Sequence, residues 1–337
     1  MITFRDFMEI SLYDPKEGFY SRRVPREDFY TAPELHSAFA EVLADVICAK
    51  LEALAKARPA APLFLMEMGS GDGRLARQIL TFFRRRHPRW LSRMRVILVE
   101  RVERVLLQSI LDLQDTGARL LGYTRLEEVQ PFCGVVYSNE LIDAMPVHVL
   151  EKKDGRVREL YVRRGAAPER AEKTELGLLS SRALVHAARA VAPSMDEGQR
   201  HAVNLEANSW LLRVSRLLKA GSVITIDYGK RFDPGTPNPP RSFFRHTVGD
   251  DLSARPGRQD LTSSVDFSQL MREGERCGLK TAEFMPLGKF LLEHGILNRL
   301  PAGGGVADVK ERNQIKTLFH PDGMGERFKV LIQEKDD

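Results

Sequence analysis

The stretch FLMEMGSGDGRLARQIL, Phe64 to Leu80, most constrains what this chain can fold into. Phe64, Leu65 and Met66 form a short apolar run, as a buried parallel strand does. Gly69, Ser70, Gly71, Asp72 and Gly73 make a turn, and Leu75, Ala76, Ile79 and Leu80 then recur at helical spacing. Strand, glycine turn and helix together predict an α/β fold with a nucleotide-type site. Glycine lets the backbone approach a ligand, and a helix start offers free N–H groups. Tight strand-to-helix turns without a ligand also use glycine, so the pattern by itself is a weak signal.

Three ligands compete for such a turn. A phosphate-binding P-loop closes with Gly-Lys-Ser/Thr, which does not follow here. A dinucleotide fingerprint has its last glycine three positions after the second, whereas Gly71 and Gly73 are two apart. Glu67 also stands just before the first glycine. A carboxylate there repels pyrophosphate but suits a cationic ligand. S-adenosylmethionine (SAM) carries a sulfonium and an ammonium and no phosphate. Glu67, Gly69, Gly71 and Gly73 are therefore candidate cofactor-binding residues. A second strand, RVILVE, ends in Glu100, 33 positions beyond Glu67 and so about one βαβ unit away. Glu100 is placed to accept hydrogen bonds from both hydroxyls of an adenosine ribose. The structural alternative is a strand-end charge facing water.

With 337 residues the chain suits one large α/β domain with additions, or two domains. A helix is predicted from about Glu34 to Lys56, a third strand around Ala118 to Tyr123, and a fourth over Cys133 to Tyr137. Ser138, Asn139 and Glu140 follow at its C-terminal end, where ligands bind in open α/β sheets. HVLEKKDGRVRELYV has alternating runs flanking Asp154-Gly155, a hairpin signal. A helix over about Leu176 to Val191 follows, and residues 147–203 read as an insertion. Asn204 to Lys219 predicts a helix and SVITIDYG a fifth strand, with Asp227 and Tyr228 on the ligand side. Lys230 to Thr262 is rich in Pro, Gly and Arg, and a loop of that length is usually functional or disordered. The C-terminal part predicts a helix (Asp266–Cys277), a strand (Leu279–Phe284), two helices and an antiparallel strand, ERFKVLIQEK. The expected organisation is an N-terminal helical segment (1–60), a Rossmann-like core (61–146 and 204–337) and an inserted hairpin and helical subdomain (147–203).

Composition narrows the function classes. With 51 basic and 46 acidic residues, the net charge of +5 is too mild to argue for nucleic acid. The dense basic run FFRRRHPRW lies at a helix C-terminus, where cations complement the dipole. No apolar run approaches the roughly 20 residues of a membrane span. The N-terminus lacks a secretory apolar region, which points to the cytoplasm. Cys48, Cys133 and Cys277 are too widely spaced for a zinc motif or disulfide framework, so no metal is expected.

Several separated motifs resemble the MidA-type SAM-dependent methyltransferases: DFYTAPELHSAFAEVL, FLMEMGSGDGRLARQIL, YSNELIDAMPVHVL, ITIDYG, PGRQDLTSSVDFSQL and MGERFKVLI. They span almost the whole chain in family order. Ser70 stands where the family's glycine turn commonly has proline, and Glu27 where a glycine is usual. The resemblance implies a class I methyltransferase core with SAM as cofactor. The family includes an assembly factor that dimethylates an arginine of a respiratory complex I subunit, so the implied partner is a protein bearing a target arginine. A homo-oligomer is compatible with the sequence. Three rivals are a methyltransferase on a small molecule, a SAM-binding assembly factor with little catalysis and, disfavoured by Glu67, an NAD-dependent oxidoreductase.

Methyl transfer from SAM is an in-line displacement that needs alignment and exclusion of water. A guanidinium acceptor has a pKa above 12 and no free lone pair, so carboxylates must orient it and help it shed a proton. Glu140 is the best-placed candidate, and protein arginine methyltransferases carry a similar glutamate just after this strand. Asp143 is expected to face the same way from a following turn. His246, in the long loop that the resemblance places over the cleft, is the third catalytic candidate. Thr31 is expected to close over the methionine end of SAM, and Asn139 to contact the cofactor from the strand end.

Overall fold

The computed structural model describes residues 1–22, 31–164, 171–233, 236–244, 247–249 and 251–336. The chain divides into two units. The sheet unit comprises Tyr30–Leu141, Leu211–Gly229 and Met271–Asp337; the hairpin unit comprises Met1–Phe29, Ile142–Trp210 and Lys230–Leu270.

The sheet unit is built on β1 (Leu63–Met68), β2 (Met94–Val99), β3 (Arg119–Tyr123), β4 (Phe132–Asn139), β5 (Leu218–Lys230), β6 (Lys280–Pro286) and β7 (Phe328–Lys335). Their order is β6-β7-β5-β4-β1-β2-β3. The first five strands run parallel, and β7 runs antiparallel between β5 and β6. Near-continuous apolar runs fill these strands because a parallel sheet is covered on both faces. Helices α2 (Ala38–Ala57) and α3 (Arg74–Arg86) share one core with Leu65, Val135, Tyr137 and Ile224. The expected single helix from Glu34 to Lys56 is broken. A short helix α1 (Ala32–Leu35) ends at His36, whose Nδ1 accepts the Ala38 N–H (3.0 Å) at the start of α2. The arginine run at the end of α3 is tied down locally, with Arg84 donating to the Asp115 carbonyl (3.0 Å) and Arg85 to Glu41 (3.0 Å).

In the hairpin unit, strands His148–Lys153 and Arg156–Arg164 meet at Asp154 and Gly155, both left-handed (φ 53° and 68°), as a two-residue turn of this sequence demands. Strand Ile2–Thr3 pairs with Arg156–Arg164, which draws the N-terminal segment into this unit. Phe4, Met8 and Leu12 pack there against Val147, Val149 and Leu160. The helix predicted from Leu176 is shorter. Leu176 pairs with Leu160 in a strand (Ala171–Gly177), and the helix Arg182–Val191 starts only where Ser181 Oγ accepts the Leu184 N–H (3.1 Å). The Pro- and Gly-rich segment is not a bare loop, because Thr247–Gly249, Arg241–Phe244 and Asp260–Thr262 form a three-stranded sheet.

Two glycines let the central strands approach closely. A Cβ on Gly134 would stand 1.9 Å from the Phe64 carbonyl oxygen, and one on Gly221 would stand 1.8 Å from the Gly134 carbonyl oxygen. Both neighbours are backbone in a sheet and cannot swing aside. Gly134→Ala is therefore expected to destabilise the chain by about 2 kcal/mol or more, at the upper part of overpacking effects. Gly304→Ala, where an added Cβ meets nothing within 4 Å, should stay within about 0.5 kcal/mol of wild type. Urea midpoints of the two variants make the comparison, and equal midpoints would contradict the close approach.

Candidate functional site

The C-terminal ends of β1, β2, β4 and β5 lie along one edge of the sheet unit, and the parallel register brings their polar residues level. Glu67 is the register partner of Tyr137, Met68 of Ser138, and Ile226 of Asn139. This edge includes the point where strand order reverses about β1, the usual ligand position in such sheets.

The three glycines of the turn are all left-handed (φ 68°, 50° and 73°) but have different surroundings. A Cβ on Gly69 would meet Leu141 Cδ1 at 2.8 Å, so this glycine lets the loop after β4 pack onto the turn. A Cβ on Gly73 would meet Ser109 Cβ at 3.0 Å, so this one admits the helix Glu103–Leu113. Only Gly71 faces open space, with nothing within 4 Å of an added Cβ. Ser109 Oγ donates to the Gly71 carbonyl (2.7 Å) and helps fix that opening. Ser109 carries no sequence signal, being a polar residue within an ordinary amphipathic helix.

Glu100 clamps the same turn. Its Oε2 accepts the Gly71 N–H (3.1 Å) and its Oε1 the Val102 N–H (2.9 Å). Burial raises its proton affinity, and these two N–H groups pull it back. A carboxylate offers about four acceptor positions, so capacity remains for ligand hydroxyls. Two buried polar atoms along this edge, Ser70 Oγ on the turn and Asn139 Oδ1 at the end of β4, have no protein hydrogen-bond partner. Such atoms call for water or a ligand. An open glycine, a carboxylate with spare acceptors and orphaned polar atoms fit the ribose and polar groups of SAM.

Glu67 is placed differently from a residue that meets a ligand directly. It is 4% exposed, inside the sheet, and burial pushes its carboxyl up to about 8, against the pull of Tyr137 and the Ala76 N–H. The Tyr137 hydroxyl faces this carboxyl. Its charge state is thus coupled to the start of α3.

Glu140 follows β4 in a left-handed conformation (φ 52°), rare for a residue with a Cβ. Its N–H donates to the Ile226 carbonyl (2.9 Å), and Asn139 Nδ2 donates to its Oε1 (3.0 Å). Burial pushes its carboxyl up to about 8, and the neighbouring charges of Asp227 and Glu34 push the same way. The Asn139 amide and the Ala32 N–H at the start of α1 oppose that rise. Thr31 stands at that helix start, its N–H donating to Glu34 Oε2 (3.1 Å). The structure thus brings Thr31, Asn139 and Glu140 together, with Gly69 linked through Leu141.

Asp143 does not join them on a helical turn. Residues 140–146 form no helix, so three-residue spacing does not put the two acids on one face. Asp143 belongs to the hairpin unit, where its carbonyl accepts the Ser263 N–H (3.0 Å) and its charge faces Tyr20. Tyr20 donates to Asp260 Oδ1 (3.1 Å), and burial drives its phenol well above its usual value. His246 lies outside the described residues. Among the described residues no cluster of three or more His, Cys, Asp or Glu could hold a metal.

Because the folded-state value of Glu67 is raised, the unfolded chain ionises first. Stability attributable to Glu67 is therefore lost between pH about 4.5 and about 8 and stays lost above. Glu67→Gln, which does not titrate, should gain on wild type across that window and hold a constant lead beyond it; urea midpoints at pH 5, 8 and 9 test this. Glu100→Ala should weaken SAM binding by roughly 1.5–3 kcal/mol, the range for hydrogen bonds to a charged group. Calorimetry with SAM and with an analogue lacking the ribose hydroxyls separates the roles, since an equal loss for both would assign Glu100 to the turn alone.

Comparison with known proteins identifies the family. A family model described as S-adenosyl-L-methionine-dependent methyltransferase matches residues 42–285. The chain is 28% identical to "Protein arginine methyltransferase NDUFAF7, mitochondrial" of Danio rerio, over 98% of this chain and 82% of the relative. It is 26% identical to the homologue of that name in Drosophila melanogaster, over 98% of this chain and 80% of the relative. A Burkholderia thailandensis protein whose crystal structure holds S-adenosyl-homocysteine superposes with a TM-score of 0.82 at 26% identity, covering 99% of this chain and 88% of that one. The chain belongs to the family of S-adenosyl-L-methionine-dependent methyltransferases.

Proposed function

We propose that this methyltransferase acts on an arginine side chain of a partner protein. The observation that carries the reading is Glu140, a carboxyl held in a left-handed turn at the cofactor edge, with two further acids facing it. The names of the relatives from Danio rerio and Drosophila melanogaster support it. The bound cofactor supplies a methyl group already activated on a sulfonium. Glu140 in its ionised form pairs with the guanidinium and aligns one nitrogen for in-line attack. As the new N–C bond forms, the electron pair of the broken S–C bond stays on sulfur, and the nitrogen gives up a proton. Glu140, paired beside that nitrogen, is the group placed to accept the proton. Pairing with a cation lowers the proton affinity of Glu140 again, so acceptor binding strengthens as pH rises through about 8. On the family resemblance the partner is a subunit of respiratory complex I, and the N-terminal sequence favours the cytoplasm as the compartment. Mass spectrometry of proteins captured with the chain, from cells with and without it, identifies both partner and methylated residue.

Glu140→Gln keeps size and removes charge. SAM affinity should stay within about threefold, while single-turnover transfer of labelled methyl to the captured partner should fall about a hundredfold or more, near 2.7 kcal/mol of transition-state stabilisation. Near-normal transfer would remove Glu140 from the chemistry, and with it the arginine reading. A neutral small-molecule acceptor would be much less sensitive to the lost charge.

A further inference from the structure

We propose that Asp227 is a positioning residue that holds Glu140 in its left-handed turn and keeps a second negative charge beside it. The inference rests on the reading of Glu140 as the acceptor carboxylate. Asp227 follows Ile226 on β5, and Ile226 is the register partner of Asn139, so Asp227 comes level with Glu140. Its side chain is fully buried. Asp227 Oδ2 accepts the Leu141 N–H (3.2 Å), and Oδ1 accepts the Tyr228 N–H (2.8 Å). Together with the Glu140 N–H bond to the Ile226 carbonyl (2.9 Å), this ties two successive N–H groups of the loop to the end of β5.

That arrangement offsets a local cost. A left-handed residue with a Cβ is disfavoured, and such outliers persist where the surroundings over-determine them. Without the kink the chain would continue as a strand, and the Glu140 carboxyl would lie elsewhere. Asparagine cannot replace aspartate here, because an amide presents only one acceptor oxygen and would turn its NH₂ toward one of the two N–H donors. The groups facing Glu140 are the Asp227 carboxylate on β5, Glu34 and the Ala32 N–H on α1, and the Asn139 amide on β4. Among the charged ones, Asp227 is the larger contributor, and its negative charge makes Glu140 harder to ionise.

The test is a carbon-13 NMR titration of side-chain carboxyls in the full chain, with the Glu140 signal assigned by its loss in Glu140→Gln. The wild-type signal should titrate near 8. In Asp227→Asn its midpoint should fall by about one pH unit or more, as expected when a like charge within reach is removed. In Asp227→Glu the charge remains and the midpoint should stay close to wild type, while the lengthened side chain lowers the methyl-transfer rate. A purely structural role would lower the rate in both variants and shift the midpoint in Asp227→Glu as much as in Asp227→Asn, which would overturn the proposal. A wild-type midpoint in the ordinary carboxylate range would do so too, and needs no variant to fold. If Asp227→Asn yields no folded protein, Asp227→Glu decides, since loss of the raised midpoint with the charge intact would remove charge as the cause. Failure of the arginine reading looks different: Glu140→Gln would then transfer methyl normally, whatever the titration shows.

Discussion

The site depends on the parallel register of β1, β4 and β5. Side chains alternate faces along a strand, so a slip of one residue would send Glu67, Tyr137 and Asn139 to the wrong side and separate Asp227 from Glu140. Gly134 and Gly221 sit where these strands approach most closely, and an added Cβ at either would drive into backbone. The bare Cα atoms therefore make this pairing available to strands that would otherwise stand apart. The strand ends then fall level, and three carboxylates and an amide converge without any long loop to place them.

That convergence has an electrostatic price. Glu67 and Glu140 both sit where ionisation is disfavoured, each pushed up to about 8. A fold that only needed stability would fill these positions with apolar side chains. Glu140, at the strand end, suits a ligand that brings positive charge, because the cation restores the ionised form. Sulfonium, ammonium and guanidinium are all such ligands, so cofactor and proposed acceptor draw on the same electrostatic design.

Much of this was legible in the residues. The strand, glycine turn and helix were plain because each used a strong local signal, and Asp154-Gly155 marked its hairpin through a turn that needs left-handed residues. The place of Glu100 beside the glycine turn was readable from its distance along the chain. Other features were not. The separate jobs of Gly69 and Gly73 depend on Leu141 and Ser109, which come from elsewhere in the chain. The break at His36 depends on an imidazole accepting an N–H two residues on, which no periodicity reveals. The helical turn expected to carry Asp143 was not legible as the irregular turn it is, because three-residue spacing alone does not distinguish the two. The strand Ile2–Thr3 was missed because two residues have no periodicity, and only its pairing with Arg156–Arg164 defines it.

The position of β7 bears on how the molecule is made. It is the last of the sheet's strands in the sequence, yet it lies between β5 and β6. On a ribosome, β5 is complete long before its neighbour exists and carries an unsatisfied row of N–H and C=O groups on that side. β6 cannot dock in its final place until β7 has been synthesised to pair with it. Late, non-local pairing of this kind slows folding and leaves nascent chains open to intermolecular strand addition. Chaperone demand and sensitivity to translational pausing should therefore concentrate on the interval between the emergence of β5 and that of β7.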